Sequence, residues 1–544
     1  MLTTTASERS TARQAARRGA LLLNRALSHR VCGSELQRSS RRLRLSGLFE
    51  GVFLEQDGEQ VFQMLIDGKW TGSGDGKLFR LVTPVDGGVF ASVSAATQQD
   101  VRDAVGSASR KQHLVRDLAG IERAGIVQEA RHILLDHEEE FVSTLMLEGG
   151  KTRADAVGEF RAIANRMELA LEEARRIYGE YIPGDWSKDT LAKIALVIRE
   201  PVGVVAAISP FNYPLFIPAS KMIPALLAGN SVVVKPASAT PISCLLFARV
   251  LEAAGLPKGV LNVVTGSGAV VGDALVGDPR VSMVSLTGST EAGRRVVEKA
   301  GLKKLHLELG GKAYAIVLSD ADLRMAAAKA VEGSLKNAGQ RCDAISAILV
   351  EKKVADEFVK LALESFDAMR FGDPFDEKVT VGPLISKEAA VRVNLLVSDA
   401  LHRGAKLLRG GDFKGAYHQP TFLDEVPKDA RIAREETFGP VVTVVRVEDE
   451  EEAIEMAANS RYGLDGCIFT NNFYRMWRAA KRIQAGEIVI NDLPRHGTGF
   501  FPFGGAKDSG TGREGVGYSI DEMTNLKTIV FNLEPGRMGK KTLG

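Results

Sequence analysis

The 544-residue chain is 45% hydrophobic and sets 70 Lys and Arg against 68 Asp and Glu, so it can bury several cores and has no net field suited to holding nucleic acid. No apolar run reaches the roughly 18 residues that a membrane-spanning helix needs. The four cysteines, at 32, 244, 342 and 467, lie far apart with no CxxC or histidine cluster, so neither a disulfide framework nor a zinc site is suggested, and a reducing compartment is expected.

The near-neutral total hides a charged start. Residues 1–44 hold ten arginines against only Glu8 and Glu35, so the rest of the chain is net acidic. Arg13, Arg17 and Leu21 share a helical spacing, and the segment is rich in Ser and Thr. An Arg-rich, acid-poor start of this kind reads as a transit peptide for a mitochondrion or plastid. An over-long start or a disordered basic arm explains the same composition, with a cytoplasmic protein behind it. In each case residues 1–44 are expected to lie outside the fold.

From about residue 46 to 180, short strand-like openings ("MLIDGKW", "RLVTPVDG") alternate with long helical patterns such as "GIERAGIVQEARHILLDHEEEFVSTLMLEGGK". "GEYIPGDWSKDTLAKIALVIREPVG" is turn-rich and then β-branched, which predicts a hairpin extending from the main body. From Val202 the pattern becomes apolar strand, turn, helix, repeated: "VGVVAAIS", "NSVVVKP", "VLNVVTG", "VSMVSLTG". Continuous Val/Ile/Leu runs separated by helices predict a parallel sheet covered on both faces, of dinucleotide-binding class. A second α/β series follows from about 312 to 505, with "KAYAIVLSD", "AISAILVE", "PVVTVVRVED", "DGCIFTNN" and "GEIVIND". The last stretch, "NLKTIVFNL", is a strand without a following helix and is expected to need a sheet edge, which a neighbouring subunit can supply.

Among the cysteines, Cys244 in "CLLFA" and Cys467 in "CIF" read as core. Cys342 differs. Gly339, Gln340, Arg341 and Asp343 give it a polar, flexible setting, and the Arg341 guanidinium is expected to favour the thiolate below the free pKa of about 8.5. A nucleophile needs a base and a donor for developing negative charge. Glu308 in "LHLELGGK" ends a period-2 strand, and Gly310 and Gly311 after it allow close backbone approach. Asn212 in "ISPFNYPLF" follows an apolar strand in a turn set by Pro210 and Pro214, where its amide can face a cleft.

The segments "PFNYP", "GNSVVVKPAS", "SLTGSTEAG", "LELGGK", "GQRC", "EETFGPVV" and "FPFGGAKDSGTGREG" stand in the order and approximate spacing of the NAD(P)-dependent aldehyde dehydrogenase superfamily, which the chain resembles from about residue 46 to 535. Within it, "YIPGDW", "AGQRCDAI", "NDLPRHGTGFFPFGG" and "KTIVFN" resemble the archaeal type of non-phosphorylating glyceraldehyde-3-phosphate dehydrogenase. The resemblance implies an α/β fold of three parts beyond the extension. These are a Rossmann-type cofactor domain (45–178 and 199–310), a catalytic domain (311–515) and a small β oligomerisation unit (179–198 and 516–544) that assembles a dimer or tetramer.

By the same resemblance, Cys342 attacks an aldehyde, Asn212 and the Cys342 backbone N–H hold the oxyanion, and Glu308 activates the water that hydrolyses the thioester. Gly288, Ser289 and Gly293 meet the cofactor pyrophosphate at a helix start near Thr290, Lys235 reaches the adenosine ribose, and Glu436 and Phe438 hold the nicotinamide ribose and ring. Where many NAD-preferring relatives carry a ribose-binding glutamate this chain has Ser238, which favours NADP, with NAD also within the family's range.

For the substrate, Arg341 and Arg495 are expected to hold a phosphate. Pairing with Asp343 and Asp492 is the plainer alternative. The helix region "EFRAIANRMELALEE" offers Arg161 and Arg166 but not the tyrosine that phosphate-binding relatives use. The expected reaction is therefore NADP-dependent oxidation of glyceraldehyde 3-phosphate to 3-phosphoglycerate. Lactaldehyde, glyceraldehyde and succinate semialdehyde are alternative substrates, and a non-catalytic dinucleotide-binding protein is the alternative of another class.

Overall fold

The computed structural model describes residues 42–495 and 499–533. The arginine-rich segment is therefore outside the described residues up to position 41. Leu43, grouped with that segment by its neighbours, is instead buried in the core, and its carbonyl accepts a hydrogen bond from Gln60 Nε2.

The β-branched runs after Val202 form the middle of an 8-stranded sheet. Val204–Ile208 lies between Ser231–Lys235 on one side and Met283–Thr287 on the other, all parallel. Leu261–Val263 extends the first side and Lys304–Glu308 the second. Antiparallel strands complete the edges: Met64–Ile66 with Lys69–Thr71, and Gly510–Thr511. Because successive strands are laid down in opposite directions from Val204–Ile208, the strand order reverses there. A crevice opens at the carboxyl ends of Val204–Ile208, Ser231–Lys235 and Met283–Thr287, the place where open α/β sheets bind ligands.

The second α/β series forms a 7-stranded sheet. Its centre is Ala313–Val317 beside Ile345–Glu351, flanked by Val441–Val447 and by Asp465–Phe469 with Glu487–Ile490. Each sheet is covered by helices and backs a separate apolar core. Cys244 and Cys467 are buried in these cores.

Two expectations are altered. The long helical pattern from Gly120 is two helices, Gly120–Asp136 and Glu138–Gly149, broken at His137, whose backbone leaves the helical region (φ −116°, ψ 24°). Glu138, Glu139 and Glu140 then fill the first turn of the second helix, where carboxylates favour a new N-terminus. The terminal strand Thr524–Asn532 needs no edge from another subunit: it pairs antiparallel along its whole length with Lys193–Pro201 of its own chain. Lys193–Pro201 in turn pairs with Glu180–Pro183, so the expected hairpin and the last strand form one 3-stranded sheet. This sheet and its turn leave Tyr181, Trp186, Leu526 and Val530 exposed. No helix among the described residues is long and apolar enough to cross a membrane.

Candidate active site

Two cavities meet at Cys342. The first, of about 610 Å³, occupies the crevice at the sheet's switch point and is lined by Asn212, Lys235, Gly288, Ser289, Glu436 and Phe438 as well as Cys342. The second, of about 740 Å³, holds Arg161, Tyr213, Arg341 and Arg495, again with Cys342 in its wall. The thiol thus stands where a molecule in either cavity can reach it, and it is only half-buried.

The backbone that delivers Cys342 is unusual. Asn337, Ala338 and Gly339 follow one another in the left-handed region (φ 52°, 54° and 71°), which costs a residue with a β-carbon and persists only where the surroundings enforce it. At Gly339 a β-carbon would come within 2.1 Å of the Gly439 carbonyl oxygen, so this loop packs directly on the loop that carries Phe438. Phe438 also has positive φ (48°), and its ring meets Phe211 edge-on at 5.8 Å. Asn212 Nδ2 donates to the Gln340 carbonyl at 3.0 Å, tying the Asn212 turn to the nucleophile loop, while one amide hydrogen is left for another acceptor.

The electrostatics at the thiol oppose the expectation from sequence. Arg341 lies beside Cys342 in the chain, but its Nη2 donates to Asp343 Oδ2 at 2.7 Å. Burial pushes the Cys342 thiol well above its usual range, and the charges of Asp343, Asp465 and Glu308 push in the same direction; Arg341 opposes them and does not prevail. Asp465 and Glu487 are strand neighbours that sequence reading missed. Removing the Asp343 charge stabilises the thiolate relative to the thiol. Asp343→Asn is therefore expected to move the rising limb of the alkylation rate of Cys342 against pH about one unit toward acid. An unmoved limb would show that Asp343 has no hold on the thiol.

On the side of the first cavity, Ser289 caps the helix Thr290–Ala300, its side chain accepting from the Ala292 N–H. Gly288 and Ser289 at this end line the cavity, and the first turn of a helix is a suitable setting for an anionic group. Lys235 is buried and its ammonium is pushed down to about 8 by that burial; its Nζ donates to the Pro236 carbonyl at 2.9 Å. Gly311 N donates to Glu436 Oε1 at 3.2 Å, and Arg392 holds the same loop through the Glu436 and Thr437 carbonyls at 2.6 and 2.8 Å. Arg392, Arg295 and Lys299 also line this cavity, and none was singled out from sequence.

Not every expected residue faces a cavity. Ser238 Oγ donates to the Gly266 carbonyl at 2.8 Å and lies outside the lining. Gly293 sits beneath it, where a β-carbon would strike Leu309 Cδ1 at 2.4 Å; the helix approaches the strand end because that carbon is missing. Glu308 lines neither cavity. Its carboxyl faces a buried cluster of Glu514, Lys221, Arg513 and Arg166; burial foremost, then the Glu514 charge, raises it well above the usual carboxylate range. Lys221 Nζ donates to Glu514 Oε1 at 2.9 Å and to Ser285 Oγ at 3.0 Å. A single lysine in the apolar helix Phe216–Leu227 was the signal in the sequence that this cluster existed.

In the second cavity Arg341 is 6% exposed. Nη2 is used by Asp343 and the Pro494 carbonyl, but Nε and Nη1 are buried with no hydrogen-bond partner. Arg495 is more exposed and lies 3.9 Å from Asp492, so the plainer pairings exist alongside donors still open to a ligand. Of the two helix arginines, Arg161 reaches this cavity and Arg166 does not; Arg166 is buried over the Phe216 ring, at 5.3 Å. Tyr213 lines the same cavity.

Comparison with known proteins agrees with this architecture. Residues 70–529 match the model of the aldehyde dehydrogenase family. The chain is 40% identical to the NADP-dependent glyceraldehyde-3-phosphate dehydrogenase of Streptococcus equinus, over 87% of this chain and 99% of that protein. It is likewise 40% identical to the 3-sulfolactaldehyde dehydrogenase of Priestia aryabhattai, over 81% of this chain and 92% of that one. Among solved structures it is similar to the NADP-dependent glyceraldehyde-3-phosphate dehydrogenase of Bacillus halodurans complexed with NADP, with a TM-score of 0.85 and 38% identity over 87% of this chain and 99% of that one. With half-buried Cys342 between two clefts and the match spanning most of both sheets, the chain belongs to the aldehyde dehydrogenase family.

Proposed function

We propose that the protein oxidises a small anionic aldehyde, glyceraldehyde 3-phosphate, to the free acid with NADP and water. The observation that carries the anionic part is Arg341: two buried guanidinium nitrogens without partners, in the wall of a cavity that also contains Cys342. Buried donors of this kind are costly unless a ligand satisfies them, and a planar guanidinium suits phosphate.

The first cavity fits a dinucleotide. The helix start at Gly288 and Ser289 would hold the pyrophosphate, buried Lys235 the ribose or its phosphate, and Glu436 and Phe438 the nicotinamide end. The cofactor supplies the hydride acceptor. Cys342 as thiolate adds to the aldehyde carbon in the second cavity, and the oxyanion that forms is met by the free Asn212 amide hydrogen and the Cys342 backbone N–H. Once the acyl group is a thioester on Cys342, Glu308 takes a proton from water, hydroxide adds to the thioester carbon, and the C–S bond breaks to give the acid and the thiolate. Glu308 must turn from its buried cluster toward the thioester for this step.

The arginines recognise a charged group without separating phosphate from sulfonate or carboxylate. The similarity to a 3-sulfolactaldehyde dehydrogenase therefore supports a second reading with the same mechanism and a sulfonated substrate. Turnover of glyceraldehyde 3-phosphate, sulfolactaldehyde, succinate semialdehyde and lactaldehyde with NADP and NAD distinguishes them. Arg341→Ala is expected to raise KM about 10- to 100-fold for the anionic substrate, with little change for lactaldehyde. An equal loss for charged and uncharged aldehydes would contradict a recognition role.

A further inference from the structure

The polar cluster behind Glu308 contains a histidine that the reaction as described does not use. His306 lies two residues before Glu308 on the same face of Lys304–Glu308 and is 3% exposed. Its Nδ1 is hydrogen-bonded to a Glu522 carboxyl oxygen, at the end of the helix Val516–Glu522. Its Nε2 has no hydrogen-bond partner and lies 3.8 Å from Glu308 Oε1 and 3.8 Å from Glu514 Oε1. Glu308 Oε1 also has none. A ring nitrogen and a carboxyl oxygen, both buried and unsatisfied, thus face each other across a gap that a small rotation of either side chain closes to hydrogen-bond length.

The neighbouring charges show which way a proton can leave. Glu514 and Lys221 pair with each other and their side chains are only 4% and 1% exposed, so that branch ends in the interior. Arg166, from the helix Arg153–Ala174, is buried near both Glu308 and Glu514. Arg513 is turned to the Gly505 and Gly512 carbonyls, and its backbone N–H donates to Glu522 Oε1 at 2.7 Å. Lys304 donates to the Thr524 carbonyl at 2.9 Å. Among the described residues, only Glu522 combines contact with the ring and access to water, its side chain being 29% exposed. The turn at Gly512 presses on this pair: a β-carbon there would come within 2.6 Å of His306 Nδ1.

We propose that His306, held by Glu522, passes to the surface the proton that Glu308 takes from the hydrolytic water. This rests on the reading of Glu308 as the base. The Glu308 O–H gives its proton to His306 Nε2 and returns to carboxylate. The imidazolium then gives its Nδ1 proton to the Glu522 carboxylate, which releases it to bulk water, and the ring, left with its proton on Nε2, must swing that nitrogen to Glu522 before the next turnover. One proton leaves per thioester hydrolysed, and no electrons move. His306 acts through Glu308 and does not touch the substrate, so it is a positioning residue for the proton.

The test is stopped-flow NADPH formation by the full chain with NADP and the best aldehyde, comparing wild type, His306→Gln and Glu522→Gln in H2O and D2O. Both variants are expected to keep the burst of the first turnover while the steady rate falls about tenfold or more and its solvent isotope effect rises. Glu522→Gln, at the partly exposed end, decides the matter if His306→Gln does not fold. A steady rate close to wild type, a burst that falls together with the steady rate, or a slowed rate with an unchanged isotope effect overturns the proposal. If wild type forms no NADPH with any aldehyde tested, the reading of the site itself fails, which is a different outcome.

Discussion

Cys342→Ser is expected to leave NADP binding intact and to lower NADPH formation by about 10⁴-fold or more, because a hydroxyl is a far weaker nucleophile than a thiol at the same position. The size of the effect follows from the geometry. Cys342 is in the wall of both cavities, and each of the other two described cysteines is buried in an apolar core. The variant changes one atom and keeps the left-handed loop at 337–339 that packs on Gly439. Intrinsic fluorescence quenching by NADP and the absorbance of NADPH measure the two properties separately. Retained turnover in the serine variant would remove the nucleophile from the account.

Glu308→Gln is expected to act on the other half of the cycle. A glutamine at 308 cannot take a proton from water, so the first turnover survives while steady turnover falls by about 10²- to 10⁴-fold. The carboxyl is buried in a cluster whose balance includes Glu514, Lys221, Arg513 and Arg166, and it is already raised well above the usual range by burial. A neutral amide of the same shape therefore disturbs the cluster little. Steady turnover with full amplitude and unchanged rate in this variant would assign the base elsewhere.

The sheets were legible because buried parallel strands are continuous β-branched runs: "VGVVAAIS", "NSVVVKP" and "VSMVSLTG" became Val204–Ile208, Ser231–Lys235 and Met283–Thr287. Pairing partners were less so. Nothing in "NLKTIVFNL" says that it lies along Lys193–Pro201, more than three hundred positions earlier, since register is set by tertiary packing. The turn at Asn212 and the polar loop around Cys342 announced a cleft through their residue types. The charge at the thiol was misread because sequence shows only the neighbours in the chain: Arg341 was visible, whereas Asp465 and Glu308 arrive from distant strands and Asp343 pairs with the guanidinium. The His306–Glu522 pair was hidden for the same reason, with its two members joined only when the helix Val516–Glu522 docks against Lys304–Glu308.

The central claim is that the sulfur at 342 carries the substrate's acyl group between two chemical steps. Acid-quenching Glu308→Gln after mixing with NADP and aldehyde, followed by peptide mass spectrometry, tests it directly. The account expects a near-stoichiometric acyl adduct on the peptide containing Cys342, formed together with the NADPH burst. NADPH produced with that peptide unmodified, or with the adduct on another residue, would contradict it.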